Sequence, residues 1–166
     1  MQEIYVENMN HVLPNKKKLE KELEVKITNK GKNVFVDGDA EKEYTAIEVM
    51  QAINLDFSIN KALLLKNDNI ILQTLNIKDI TKRHDLERVR ARIIGTKGKT
   101  LKTLNNLTNC EISLQDNKIG IIGNAEYIEE AIQALTSLVQ GSKQGNVYSR
   151  VEREKKRKRM RDKGFK

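Results

Sequence analysis

The tetrapeptide Gly38-Asp39-Ala40-Glu41 is echoed in the other half of the chain by Gly123-Asn124-Ala125-Glu126, and the same offset aligns Ala46-Ile47 with Ala131-Ile132. Each follows a short β-type run (33–37 and 118–122) and opens a helical pattern. Asp39 and Asn124 are suited to cap the helices, and the glycine before each can turn the chain sharply out of the strand. Chance can also produce two similar strand–turn–helix units. In a chain of 166 residues, however, the repeat favours two small related units over one large domain.

In the second half, residues 69–76 read as a strand, 82–94 as a basic helix and 99–109 as another helix. Residues 110–115 read as a strand, with Asp116-Asn117 as the hairpin turn into 118–122. A last helix runs from about Ala125 to Gln140 on the spacing of Ile128, Ala131, Ile132, Leu135 and Leu138, with Gly141 as its C′ residue. The order is β-α-α-β-β-α, and Gly95-Thr96-Lys97-Gly98 falls between the first two helices. The first half repeats this with a deficit. The segment joining its first two strands, from Val6 to Val25, is much shorter than its counterpart from Asn76 to Cys110. The shortfall amounts to one helix and its loop, and the segment available there, 12–17, holds no glycine. Residues 58–66 read as a short helix joining the halves. The expected organisation is a first unit over 1–68, a second over 69–142 and a basic extension over 143–166.

Positive charge is concentrated. The net charge is +8, yet residues 78–102 alone carry nine Lys/Arg against three Asp/Glu, and residues 150–166 carry ten against three. The rest of the chain is slightly acidic. Two such blocks point to a polyanion partner. An anionic membrane is less suitable because the tail has little apolar face to bury, and a merely solvated charged helix is the unspecific alternative. No apolar run is long enough to suggest a membrane span. A lone Cys110 and an N-terminus without signal-peptide layout suggest a reducing, cytoplasmic setting.

The Gly-x-x-Gly loop carries the chemistry. A KH module clamps about four nucleotides of single-stranded backbone against such a turn. Gly95 and Gly98 lack Cβ atoms, so phosphates can approach the backbone, and the positive end of the helix from Lys99 attracts them. Lys97, Lys99 and Lys102 add charge, and Thr96 and Thr100 add hydroxyls. Arg88, Arg90 and Arg92 come from the preceding helix, while Ile93 and Ile94 are expected to line the apolar side of the groove. Residues of the 110–115 strand would then meet base edges. A nucleotide-binding P-loop, suggested by Gly98-Lys99-Thr100, fails because Ile93 stands where that motif needs glycine. A helix-turn-helix reading duplex DNA is disfavoured by the hairpin and helix that follow. His11, His84 and Cys110 make no zinc constellation, and Asp37, Asp39, Glu41 and Glu43 suit helix capping better than a metal-dependent nuclease. With aromatics at 4%, an RRM-type stacking platform is disfavoured. Neither an enzyme nor a cofactor is expected. The fold class is α+β, with two KH-like units of type I, the first without its loop, and a basic C-terminal helix or tail.

From Asp56 onward the chain resembles archaeal KH proteins related to the Partner-of-Nob ribosome-assembly family. The resemblance lies in residues 56–65, in Arg90-Ala91-Arg92-Ile93-Ile94-Gly95-Thr96-Lys97-Gly98-Lys99-Thr100, in Ile121-Ile122-Gly123 and in residues 141–148. It implies binding of single-stranded RNA near the 3′ end of small-subunit rRNA during subunit maturation, with Arg92, Gly95, Lys97, Gly98 and Lys99 on the backbone. It also implies partnership with the Nob-type endonuclease and with the α subunit of translation initiation factor two. The chain departs from the family pattern at Ala91, Asn105-Asn106 and Gln144, and it lacks the long N-terminal extension of eukaryotic members, which suits an archaeal type. A KH regulator of mRNA and a protein–protein scaffold working through the first unit are the other readings.

Overall fold

A computed structural model describes residues 1–164. Contacts divide the chain into two compact units, residues 1–72 and residues from 73 on. The first unit runs β1 (Gln2–Tyr5), α1 (Met9–Val12), a 3-10 turn (Leu13–Asn15), α2 (Lys16–Leu23), β2 (Lys26–Lys30), β3 (Asn33–Asp37), α3 (Ala40–Asn54), α4 (Ile59–Ala62) and a second 3-10 turn (Leu63–Lys66). Next come β4 (Ile70–Asn76), α5 (Ile77–Ile80), α6 (Leu86–Ile94), a 3-10 turn (Thr96–Gly98), α7 (Lys99–Thr108), β5 (Glu111–Gln115), β6 (Lys118–Asn124), α8 (Ile128–Val139) and α9 (Gln144–Asp162). Each half has a three-stranded sheet in which the third strand lies between the other two, β1-β3-β2 and β4-β6-β5. β3 is antiparallel to both neighbours, and β6 is antiparallel to β5 with Ser113 opposite Gly120. The repeat read from the tetrapeptides is therefore a repeat of topology.

Patterning explains which faces are buried. Val34 and Val36 alternate on β3, and Ala46, Val49, Met50 and Ile53 place one face of α3 in the first core. In the second core, Ile119 and Ile121 of the central strand are buried with Leu135 and Leu138 of α8, whose apolar positions recur at three and four. α8 ends as expected from Gly141. The Gly141 N–H donates to the Leu138 carbonyl at 3.1 Å and the Ser142 N–H to that of Ser137 at 3.0 Å, with Gly141 at φ +104°. This is a Schellman closure. The basic extension is a helix through Asp162, packed on α7 and α8, with Val147 and Val151 buried. Residues 165–166 of that expected extension lie outside the described residues.

Three expectations need correction. The first unit does not lose a whole helix: α1 survives as one turn and runs through Pro14 into α2, with no left-handed residue at the junction. α6 starts at Leu86 rather than Lys82, because the one-turn α5 intervenes and the Arg83 side chain pairs with the Asp85 carboxylate at 2.6 Å. That hydrogen bond also holds the Asp85 carboxyl below the usual range. Finally, the two repeated glycines differ: Gly38 bends the chain out of β3 as expected, without positive φ, whereas Gly123 makes no turn. Gly123 lies inside β6, Asn124 makes a local turn by accepting from the Glu126 N–H, and α8 begins only at Ile128.

Space is what Gly123 supplies. A Cβ there would collide with the Cys110 Sγ, itself buried beside β5. Burial pushes the Cys110 thiol up, so it stays protonated. Gly123→Ala should lower the unfolding free energy by ~1–3 kcal/mol through overpacking. C110A/G123A should be more stable than G123A alone in urea denaturation. Strictly additive losses would show that the sulfur is not the obstacle.

Candidate nucleic-acid interface

The α6–α7 turn is formed by local backbone geometry. α6 places Val89 and Ile93 inward, while Glu87, Arg88, Ala91 and Ile94 face outward at helical spacing. Gly95 ends the helix at φ +77°, ψ 172°, a conformation essentially confined to glycine. Its N–H closes on the Ala91 carbonyl at 2.8 Å, and the Gly98 N–H closes on the Gly95 carbonyl at 3.1 Å. Lys97 is left-handed at φ 54°, ψ 31°, as is Gly98 at φ 73°, ψ 13°. α7 then opens with no side-chain cap; the Lys99 N–H closes on the Thr96 carbonyl, and the positive dipole end of the helix faces the turn.

The side chains sort into two sets. Thr96, Lys97, Lys99, Lys102 and Arg88 are exposed, and none of these four cations has an ion pair among the described residues. Arg90 and Arg92 are half-buried and engaged within the protein. Arg90 donates to the Asn117 Oδ1 at 3.0 Å, tying α6 to the β5–β6 turn, and Arg92 donates to the Ser142 carbonyl just past α8.

Two expected roles change. Ile93 has no exposed surface and belongs to the core, so of the isoleucine pair only Ile94, at 38% exposure, can offer apolar surface to a ligand. Thr100 is buried, and its hydroxyl faces inward: it accepts from the Gln144 Nε2 at 3.0 Å and stands against the space that a Gly95 Cβ would need. It props the loop from behind and sits, with Gln144, at the back of the cleft beside the loop rather than on its exposed rim. Cys110 is likewise too buried to meet a base edge.

Beside the loop lies a cleft of about 460 Å³, walled by Ala91, Gly95, Thr96, Lys99 and Thr103 on one side and by Gln144 and Tyr148 of α9 on the other, with Thr100 at its back. Thr103 is absent from the residues that the sequence pattern singles out, and no local signal marks it. It lies one helical turn beyond Lys99, and only the packing of α9 turns that face into a wall. Among the described residues no cluster of three or more His, Cys, Asp or Glu could hold a metal ion.

This combination of a type I topology and a glycine-framed turn has a family. The second KH domain of PNO1, a eukaryotic type KH-domain (KH-domain type I), matches residues 71–156. The chain belongs to the PNO1-type KH family. It is 30% identical over 149 residues to a KH domain-containing protein of Methanocaldococcus jannaschii, covering 86% of this chain and 66% of that one. It is 36% identical over 107 residues to the pre-rRNA-processing protein PNO1 of Eremothecium gossypii, covering 63% of this chain and 40% of that protein. The chain thus spans two thirds or less of the length of these curated relatives. Among solved structures it is similar to aDim2p in an a/eIF2α–aDim2p–rRNA complex from Pyrococcus horikoshii, with a TM-score of 0.82, 32% identity, and coverage of 93% of this chain and 94% of that one. The family supports the two KH-like units and the α+β class. No described helix is long and apolar enough to cross a membrane.

The two loop glycines should differ under substitution. Gly98 is in the ordinary left-handed region with open space around it, where asparagine is tolerated. Gly95 has both a glycine-only conformation and the Thr100 side chain against it. Gly95→Asn should cost at least ~2 kcal/mol more than Gly98→Asn in denaturant unfolding. Equal losses would contradict the propping role of Thr100.

Proposed function

We propose that this protein is a non-catalytic RNA-binding factor of small-ribosomal-subunit biogenesis. It holds single-stranded rRNA near the 3′ end of the small-subunit rRNA on the Gly95–Gly98 loop. The observation that carries this reading is the uncapped start of α7 behind that loop, with the exposed cations Lys97, Lys99, Lys102 and Arg88 on α6, the turn and α7, none of which has an ion pair among the described residues. Backbone N–H groups and point charges together suit phosphate oxygens, and a glycine frame admits them closely. Ile94 offers the aliphatic surface on which a base can rest.

The relatives support the cellular setting: one is named for pre-rRNA processing, and another was solved with rRNA and a/eIF2α. The a/eIF2α in that complex supports the α subunit of translation initiation factor two as a partner; a Nob-type endonuclease as second partner and a cytoplasmic setting follow from the sequence resemblance. In this reading Arg90 and Arg92 act indirectly, by fixing α6 against the hairpin turn and the end of α8.

The test is anisotropy at one fixed salt concentration. A single-stranded oligonucleotide matching the small-subunit rRNA 3′ end should bind roughly 10- to 100-fold more tightly than a scrambled one, or ~1–3 kcal/mol. Sealing the same sequence into a duplex should weaken it further, because A-form pairing hides the base edges. T96D/K97D keeps both glycines and changes only exposed side chains, and aspartate tolerates the left-handed site at residue 97. It should melt like the parent yet lose at least about 100-fold in affinity, since charge-assisted contacts become repulsions. If this variant binds as well as the parent, the loop is not the site. If all three RNAs bind equally, the rRNA assignment fails.

A further inference from the structure

A second pocket lies at the other end of α7. It measures about 160 Å³ and is walled by Leu107 and Asn109 from the end of α7, Asn124 and Tyr127 from the β6–α8 connection, and Lys155 and Arg159 from α9. This is room for a heterocyclic base against the Leu107 and Tyr127 side chains. The walls are polarised. Lys158 is committed to the inner wall: its ammonium is 2.8 Å from the Glu130 carboxylate, donates to the Glu126 carbonyl at 3.0 Å and sits 4.8 Å over the Tyr127 ring. The interior is therefore close to neutral. Lys155 and Arg159 have no ion pair or side-chain hydrogen bond among the described residues and remain available to an anion, with Asp162 the only acidic group beside them on the α9 wall of the pocket.

The pocket and the cleft beside the loop draw walls from the same two helices. On α9, Gln144, Tyr148, Lys155, Arg159 and Asp162 recur at spacings of three, four and seven, which is one helix face. On α7, Lys99, Thr103 and Leu107 likewise share a face. The same two faces wall the cleft beside the loop at one end and this pocket at the other. From Lys99 to Leu107 is about 12 Å at ~1.5 Å per residue, or roughly three stacked nucleotides at ~3.4 Å each.

We propose that this pocket takes the base of a nucleotide on the same single strand that the Gly95–Gly98 loop grips, with Lys155 and Arg159 on its phosphate. Base-first entry follows from the walls: with Lys158 and Glu130 neutralising each other the interior gives a phosphate no net attraction, while Leu107 and Tyr127 offer apolar surface there. The protein would then bind a longer strand than the roughly four nucleotides of the loop groove. This rests on the RNA-binding function proposed above, and the two are separable by RNA length.

The experiment uses the full chain with a single-stranded tetranucleotide and a decanucleotide, and with decanucleotides carrying one abasic site at each position in turn. K155E/R159E should weaken the decanucleotide at least about tenfold and leave the tetranucleotide within about twofold. R153E/K156E makes the same charge change at exposed positions on another face of α9. It should weaken both lengths alike, and by less. The abasic scan should show two separate positions of lost affinity on the parent, the second disappearing in K155E/R159E. Equal loss from both double variants on the decanucleotide, or a single position in the scan, overturns the pocket and leaves a general polyanion helix. A tetranucleotide that fails to bind the parent, or that binds T96D/K97D equally well, overturns the loop itself.

Discussion

The second unit is organised around the contact between Gly95 and Thr100. The threonine hydroxyl fills the space that a side chain at residue 95 would need, and Gln144, at the start of α9, donates to that hydroxyl from behind. Arg92 completes the arrangement by donating to the Ser142 carbonyl, while Gln144 also reaches back to the Arg92 carbonyl at 3.4 Å. The end of α6, the turn, the start of α7 and the corner between α8 and α9 are thereby joined in one network. A phosphate-binding turn works only if its N–H groups are already oriented, since ordering them on binding would consume the energy gained from the contact. The network supplies that order without placing any of its own side chains in the way.

Electrostatics divides along the same line. Cations on inward faces are committed to the protein: Arg90 to Asn117, Arg92 to Ser142, Lys158 to Glu130. Among the described residues the exposed cations around the turn, and half-buried Lys155 and exposed Arg159 of α9, have no ion pair. Hydrogen bonds made by half-buried cations stabilise more than exposed pairs do, so the committed set holds the elements together. The exposed set costs little in the free protein and is available to an anion. α9 serves both roles at once, with Val147 and Val151 packed inside and most of its basic residues outside.

Much of this was legible in the sequence. Strand and helix order, the hairpin at Asp116-Asn117, the closure at Gly141 and the glycine frame of the turn all follow from local rules, because each depends on residues within a few positions of one another. Local rules fail where they are overridden from a distance. Ile93 reads as a groove residue, and only the packing of α6 against α7 and α8 makes it core. Gly123 has the appearance of a turn glycine, yet its reason is Cys110 at the start of another strand.

The sequence alone determined that there are two related units, that one of them holds a glycine-framed turn, and that positive charge gathers around it and in the tail. Those are properties of periodicity, glycine placement and charge count, which need no knowledge of packing. Only the tertiary structure decided which cations are free, which hydroxyl faces inward, and that α7 and α9 together wall a pocket at each end of their contact. The reason is physical: whether a side chain is a ligand or a brace depends on what lies within about 3 Å of it, and residues 92 and 142, or 100 and 144, become neighbours only after the chain has folded.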